Sequence, residues 1–133
     1  MMDTTLTAPE TVALPEVPVL TGPQAQGDLL ILPWPADVHP QQRAADMAAA
    51  QPVTAPLVVI TGDNGHDHIL TPAPGVAWYA YPDGQQTLGV LTVADGAMAV
   101  LGHIEHGDTH IGPGVYVIRR QREQSDEIRL VAD

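Results

Sequence analysis

The chain has 133 residues, with 16 acidic side chains against five arginines and no lysine, for a formal net charge of −11. Such a surface repels a phosphate backbone and an anionic bilayer, which argues against nucleic acid and membrane as partners. The absence of cysteine excludes disulfides and thiolate chemistry, and the absence of lysine excludes Schiff-base chemistry and a phosphate-loop lysine.

Residues 1–26 are rich in Pro, Thr, Ala and Val, punctuated by Pro9, Pro15, Pro18 and Pro23. Proline at this spacing forbids helix and interrupts strand ladders, so the expectation is an extended arm, disordered in isolation and ordered by a neighbouring subunit. These residues lack the basic flank and apolar run of a signal peptide. No segment approaches the about 20 apolar residues that span a bilayer, so a soluble product is expected.

Asp28 to Pro35 reads as a short buried strand stopped by prolines. Pro40 to Ala50 is the one good helix candidate. Proline suits its first turn, alanines propagate it and Pro52 ends it, but its few large apolar residues make it a surface helix. From Leu57 the pattern changes to strands: Leu57 to Thr61, His66 to Thr71, Val76 to Tyr81, Thr87 to Val93, Ala97 to Glu105, Val115 to Arg122 and Ile128 to Val131. Turn signals separate them at Gly62–Gly65, Pro82–Gly84, Ala94–Gly96 and Gly112–Gly114, and the Ala94-Asp95-Gly96 connection is predicted to close a hairpin. Short strands with a turn every eight to twelve residues indicate an all-β fold, a small sandwich or barrel. The predicted organisation is an arm at 1–26, a connecting strand and short helix at 27–56, and a β domain at 57–133.

Five of the six histidines fall between His66 and His110. His66-Asp67-His68 places two imidazoles on one face of a strand, and His103-Ile104-Glu105 does the same with an imidazole and a carboxylate. His106 follows where Gly107-Asp108 ends the strand, and His110 lies at the base of the next turn. If the two segments pair, His66, His68, His103 and Glu105 or His106 converge on one divalent ion, and imidazole with carboxylate suits Zn, Fe, Mn, Ni or Cu. Structural hydrogen bonding and a proton-sensing cluster are the alternative uses of the same residues. Asp63, Asp67, Glu105 and Asp108 could act as a general base beside a bound metal. Without a metal no catalytic set is evident, because Ser125, the single serine, precedes Asp126-Glu127 as in a turn or cap.

Four arginines (Arg119, Arg120, Arg122 and Arg129) lie in the last 15 residues, balanced there by Glu123, Asp126, Glu127 and Asp133. Arg119, Arg120 and Arg122 can pair with the chain's own acids or face a partner, since the guanidinium fork serves either role. Among the aromatics, Trp78 and Tyr116 are expected in the core and Trp34 to pin the N-terminal region onto the domain.

Gly65-His66-Asp67-His68 resembles the opening of the first cupin motif, a His-x-His pair followed by Glu, with a later motif supplying a third histidine. Residues 69–75 contain no acid where that pattern has its Glu, and His103 or His106 stands for the later histidine. The segments Gly65 to His68, His103 to His106 and Gly114 to Glu123, with the tail Val131-Ala132-Asp133, also resemble a family of small uncharacterised proteins of bacteria and phages. In that family a tyrosine usually stands where this chain has Gln124. This resemblance covers residues 57–133; it implies a cupin-like β fold and assigns no activity.

Two functions are expected from these features. The first is a structural or binding module that needs no cofactor and decorates a larger assembly, specifically an auxiliary protein of a phage capsid. It would be a homo-oligomer on a protein shell, located in the virion, with Trp34, Arg119, Arg120 and Arg122 as partner-binding residues and no catalytic residue. The second is a cupin-like metal-binding protein or metalloenzyme of the cytoplasm, holding a divalent transition metal through His66, His68, His103 and His106.

Overall fold

A computed structural model of the protein describes residues 18–62, 65–82 and 86–121. In chain order its strands are β1 (Val19–Leu20), β2 (Gln24–Gln26), β3 (Leu29–Pro33), β4 (Gln51–Pro52), β5 (Leu57–Thr61), β6 (Asp67–Leu70), β7 (Val76–Ala80), β8 (Thr87–Val93), β9 (Ala99–His103), β10 (Thr109–Ile111) and β11 (Gly114–Arg120). The helix α1 (Pro40–Ala49) lies between β3 and β4. One sheet has the order β1-β10-β9-β6-β5 and the other β2-β3-β11-β8-β7-β4. Neighbours run antiparallel except β1, which pairs in parallel with β10.

Period-two alternation decides which residues enter the core. Leu29 and Ile31 of β3, Trp78 of β7, Leu91 of β8 and Tyr116 and Ile118 of β11 point inward from one sheet. Leu70 of β6, Ala99 and Leu101 of β9 and Ile111 of β10 meet them from the other, in one continuous buried cluster. Two sheets facing across one core make a β-sandwich. The buried Tyr116 hydroxyl stays satisfied by donating to Gly112 O at 2.7 Å, and burial raises its pKa.

The outer face of β8 and β11 holds a second, smaller cluster of Trp34, Val90 and Val115, with Tyr81 and Val117 against it. Helix α1 lies against β7 and β8 and buries only Asp46. Its carboxylate accepts from the Tyr81 hydroxyl at 2.5 Å and from Gln42 Nε2 at 2.7 Å, and burial followed by the Asp46 hydrogen bond raises the Tyr81 pKa. Among the described residues no helix is long and apolar enough to cross a membrane.

Two expectations are corrected. Ala94-Asp95-Gly96 does not close a hairpin, because β8 belongs to one sheet and β9 to the other. The chain turns across the sandwich here. The Ala94–Ala97 turn sits so close to Gly75 that a Cβ there would lie 2.8 Å from the Ala97 side chain, and Gly75 itself has φ 79°. Only glycine tolerates both conditions. The strand from Ala97 to Glu105 is also shorter than expected: β9 ends at His103, and residues 104–106 form a turn.

Of the expected arm, residues 1–17 lie outside the described residues, while residues 19–20 and 24–26 form β1 and β2. The expected strand from Ile128 to Val131 also lies outside them.

Candidate functional site

Strand pairing builds the site. β6 and β9 are neighbours, and their register places His68 directly opposite His103. His66 lies one residue before β6, its carbonyl accepting from Gly62 N at 2.8 Å. Beyond His103 the turn exposes Ile104 and returns through Gly107, whose N–H donates to His103 O at 2.9 Å. This turn gathers Glu105 and His106 beside the two strand ends. The ring centroids of His68 and His103 are 4.3 Å apart, those of His103 and His106 4.6 Å, and those of His66 and His103 5.9 Å.

The opposite sheet contributes the rest. The turn between β2 and β3, Gly27-Asp28, carries Gln26 on one side and Asp28 on the other. Gln26 is 2% exposed and reaches across the sandwich, its Nε2 donating to Leu101 O and Gly107 O, both at 2.7 Å, with Thr109 Oγ1 at 3.1 Å. Two carbonyls facing the amide nitrogen fix its orientation, so Oε1 faces His68 Nδ1 at 2.9 Å. An amide oxygen only accepts, so His68 carries a proton on Nδ1. Its Nε2 faces Asp28 Oδ1 at 3.0 Å.

His68 is 1% exposed. Burial, then repulsion from His103 and more weakly from His106, holds its pKa below the ordinary imidazole value, against the opposing pull of Asp28. In the neutral ring the Nε2 lone pair points at a carboxylate oxygen. Two acceptors at this distance call for something positive between them, a proton or a metal cation.

Gly27 is required where it stands. It has φ 58°, and a Cβ there would lie 2.7 Å from His106 Cδ2 and 2.9 Å from His106 Nε2. The His106 ring thus packs directly over the backbone of this turn. Towards the surface, His66 Nδ1 lies 3.3 Å from Glu105 Oε1, both side chains being partly exposed. One ligand atom from each of His66, His103 and Glu105 falls within a 4.8 Å group.

The model of a family described as a domain of unknown function (DUF8820) matches residues 25–121. The chain belongs to the DUF8820 family. The match takes in every residue of the histidine site, from Gln26 to Thr109. No curated protein and no solved structure matches the chain. The comparisons show this family, and neither a cupin family nor a phage family.

Within this DUF8820 domain, the four histidines singled out from the sequence, His66, His68, His103 and His106, come together, and Glu105 joins them from the turn rather than from the strand. His110 lies apart on β10, opposite Val100, and His39 precedes α1. Asp67 accepts from Thr61 Oγ1 at 2.6 Å. Trp34 is buried, its Nε1–H donating to Val38 O at 2.6 Å and its carbonyl accepting from Arg43 Nε at 3.0 Å, so the indole holds the approach to α1. Arg119 and Arg120 are half-buried on β11, opposite Leu30 and Leu29 of β3, while Arg122 lies outside the described residues. Sequence reasoning missed Gln26 and Asp28. The only local signal was two polar side chains flanking a glycine at the mouth of an apolar strand.

Proposed function

We propose that this domain is a divalent-metal-binding module, with His68 and Asp28 as the inner ligand pair and His66 and Glu105 as a separate outer pair nearer the surface. The observation that carries the reading is His68 Nε2, aimed by Gln26 at the Asp28 carboxylate 3.0 Å away. Two ligand atoms about 2.1 Å from one ion and at right angles are about 3.0 Å apart, and His68 Nε2 and Asp28 Oδ1 are 3.0 Å apart. At a tetrahedral angle the spacing is about 3.4 Å, close to the 3.3 Å between His66 Nδ1 and Glu105 Oε1. A histidine oriented through Nδ1–H by an amide oxygen is a common support for a ligating Nε2. Imidazole and carboxylate together favour Zn, Mn, Fe, Ni or Cu over Ca or Mg.

The test is to strip the purified protein with a chelator and titrate it with Zn(II) and Co(II), reading uptake by elemental analysis and the Co(II) visible spectrum. Stoichiometric uptake, lost in His68→Ala and Asp28→Ala, is expected. No uptake above trace by the wild type ends the proposal.

A second reading, a module decorating a larger assembly such as a phage capsid, draws on Val19 and Leu20 at one edge of the five-stranded sheet and Val58 at the other, all exposed. Exposed apolar edges invite strand pairing with another chain. Here a variant lacking residues 1–17 should lose particle association in sedimentation while keeping its fold; unchanged association counts against it.

A further inference from the structure

We infer that His103, the histidine at the centre of the cluster, is not a metal ligand but a positioning residue that shapes the turn carrying Glu105 and His106. This rests on the metal reading of the site and assigns which of its histidines bind.

Proximity alone would make His103 the first choice as a ligand. Its ring lies between those of His68 and His106 and meets His66 edge-on. Its hydrogen bonds say otherwise. His103 Nδ1 accepts from two backbone N–H groups, those of Glu105 and His106, each at 3.1 Å. A nitrogen that accepts is unprotonated, so the neutral ring carries its proton on Nε2. Nδ1 is occupied, and Nε2–H has no lone pair to offer a cation. His68, opposite it in the ladder, is the reverse: Nδ1–H donates to Gln26, and Nε2 faces Asp28 Oδ1 at 3.0 Å. Of these two facing histidines, only His68 carries its proton on Nδ1, which directs Nε2 at a carboxylate.

The work of His103 is geometric. Its Nδ1 satisfies two N–H groups that a turn of this kind leaves without a ladder partner, and its own carbonyl accepts from Gly107. Three hydrogen bonds from one residue close the turn. Closure sets Glu105 against His66 and the His106 ring over Gly27. Without it the outer ligand pair loses its fixed spacing.

The experiment compares His103→Asn, His103→Gln and His103→Ala. An asparagine oxygen stands near the place of Nδ1 and can accept the same two N–H groups, whereas a glutamine amide reaches towards Nε2. Zn(II) affinity is read by competition with a chromophoric chelator, and imidazole tautomers by long-range proton–nitrogen NMR on the metal-free wild type. Expected are an Nε2–H tautomer for His103 and Zn(II) affinity of His103→Asn within about threefold of wild type, against about 10–100-fold losses in His103→Ala and His103→Gln. An Nδ1–H tautomer, or His103→Gln binding better than His103→Asn, overturns the inference. If the wild type takes up no metal, the metal reading fails separately. The tautomer and the thermal stability of the metal-free variants still decide the positioning role: His103→Asn should exceed both others, and equal stability of all three overturns it.

Discussion

Gln26→Met is the most informative single substitution, because one side chain both ties the two sheets together and orients His68. Methionine is close in size and apolar, so the change removes hydrogen bonds with little change in volume. It leaves Leu101 O, Gly107 O and His68 Nδ1–H without the partner they have now. Each buried polar group left unsatisfied costs about 1–3 kcal/mol. The two carbonyls carry a second lone pair and the Gly107 bond is only part-buried, so the low end applies to them, giving a total of about 3–5 kcal/mol. For a domain this size that is a fall of roughly 10–20 °C in Tm. The assay is guanidinium unfolding of the metal-free protein followed by tryptophan fluorescence, with Tm by calorimetry. The unfolding slope should not change, since the surface exposed is the same. Stability within about 1 kcal/mol of wild type would refute the reasoning, because the amide would then not be satisfying those groups. Gln26→Glu is the companion. It keeps an acceptor for His68 but turns oxygen lone pairs on two carbonyls, so it should be at least as destabilising as Met at neutral pH.

Two further outcomes follow from the same geometry. Gly27→Ala places a Cβ in the His106 ring and forces a side chain at φ 58°. Left-handed backbone alone costs about 1–2 kcal/mol, and metal affinity should fall with it. A variant with wild-type stability and affinity would show that His106 does not rest on this turn. The lowered pKa of His68 sets the direction of a pH effect. The unfolded ring takes its proton near pH 6.5 and the folded ring only below that, so between the two values the unfolded state binds more protons and stability falls as pH falls. Above pH 6.5 this contribution is constant. The metal-free wild type should therefore lose more stability between pH 7.5 and 5.5 than His68→Gln does, and equal slopes in urea titrations would contradict the assignment.

Much of this molecule was determined by local sequence. Pro40 and Pro52 bracket α1, Pro33 and Pro35 stop β3, and apolar alternation puts Leu29 and Ile31, then Tyr116 and Ile118, on inward faces. These features are legible because steric limits and side-chain periodicity act within a few residues. The two-residue spacing of His66 and His68 and the His103–His106 segment likewise foretold that imidazoles would meet.

What the local pattern did not contain was partnership between distant segments. Ala94-Asp95-Gly96 has hairpin chemistry, yet β9 pairs with β6 and β10, because packing around Gly75 sends the chain to the other sheet. β10 is three residues long and β1 two, too short for periodicity to mark. The carboxylate that meets His68 comes from Asp28, 40 residues earlier, and the amide that orients the ring from Gln26. Neither could be located until the two sheets faced each other. Which nitrogen of each histidine carries its proton is decided by which one meets a donor and which an acceptor. That depends on the turn after His103 and on a glutamine from the opposite sheet, and tertiary packing alone brings them together.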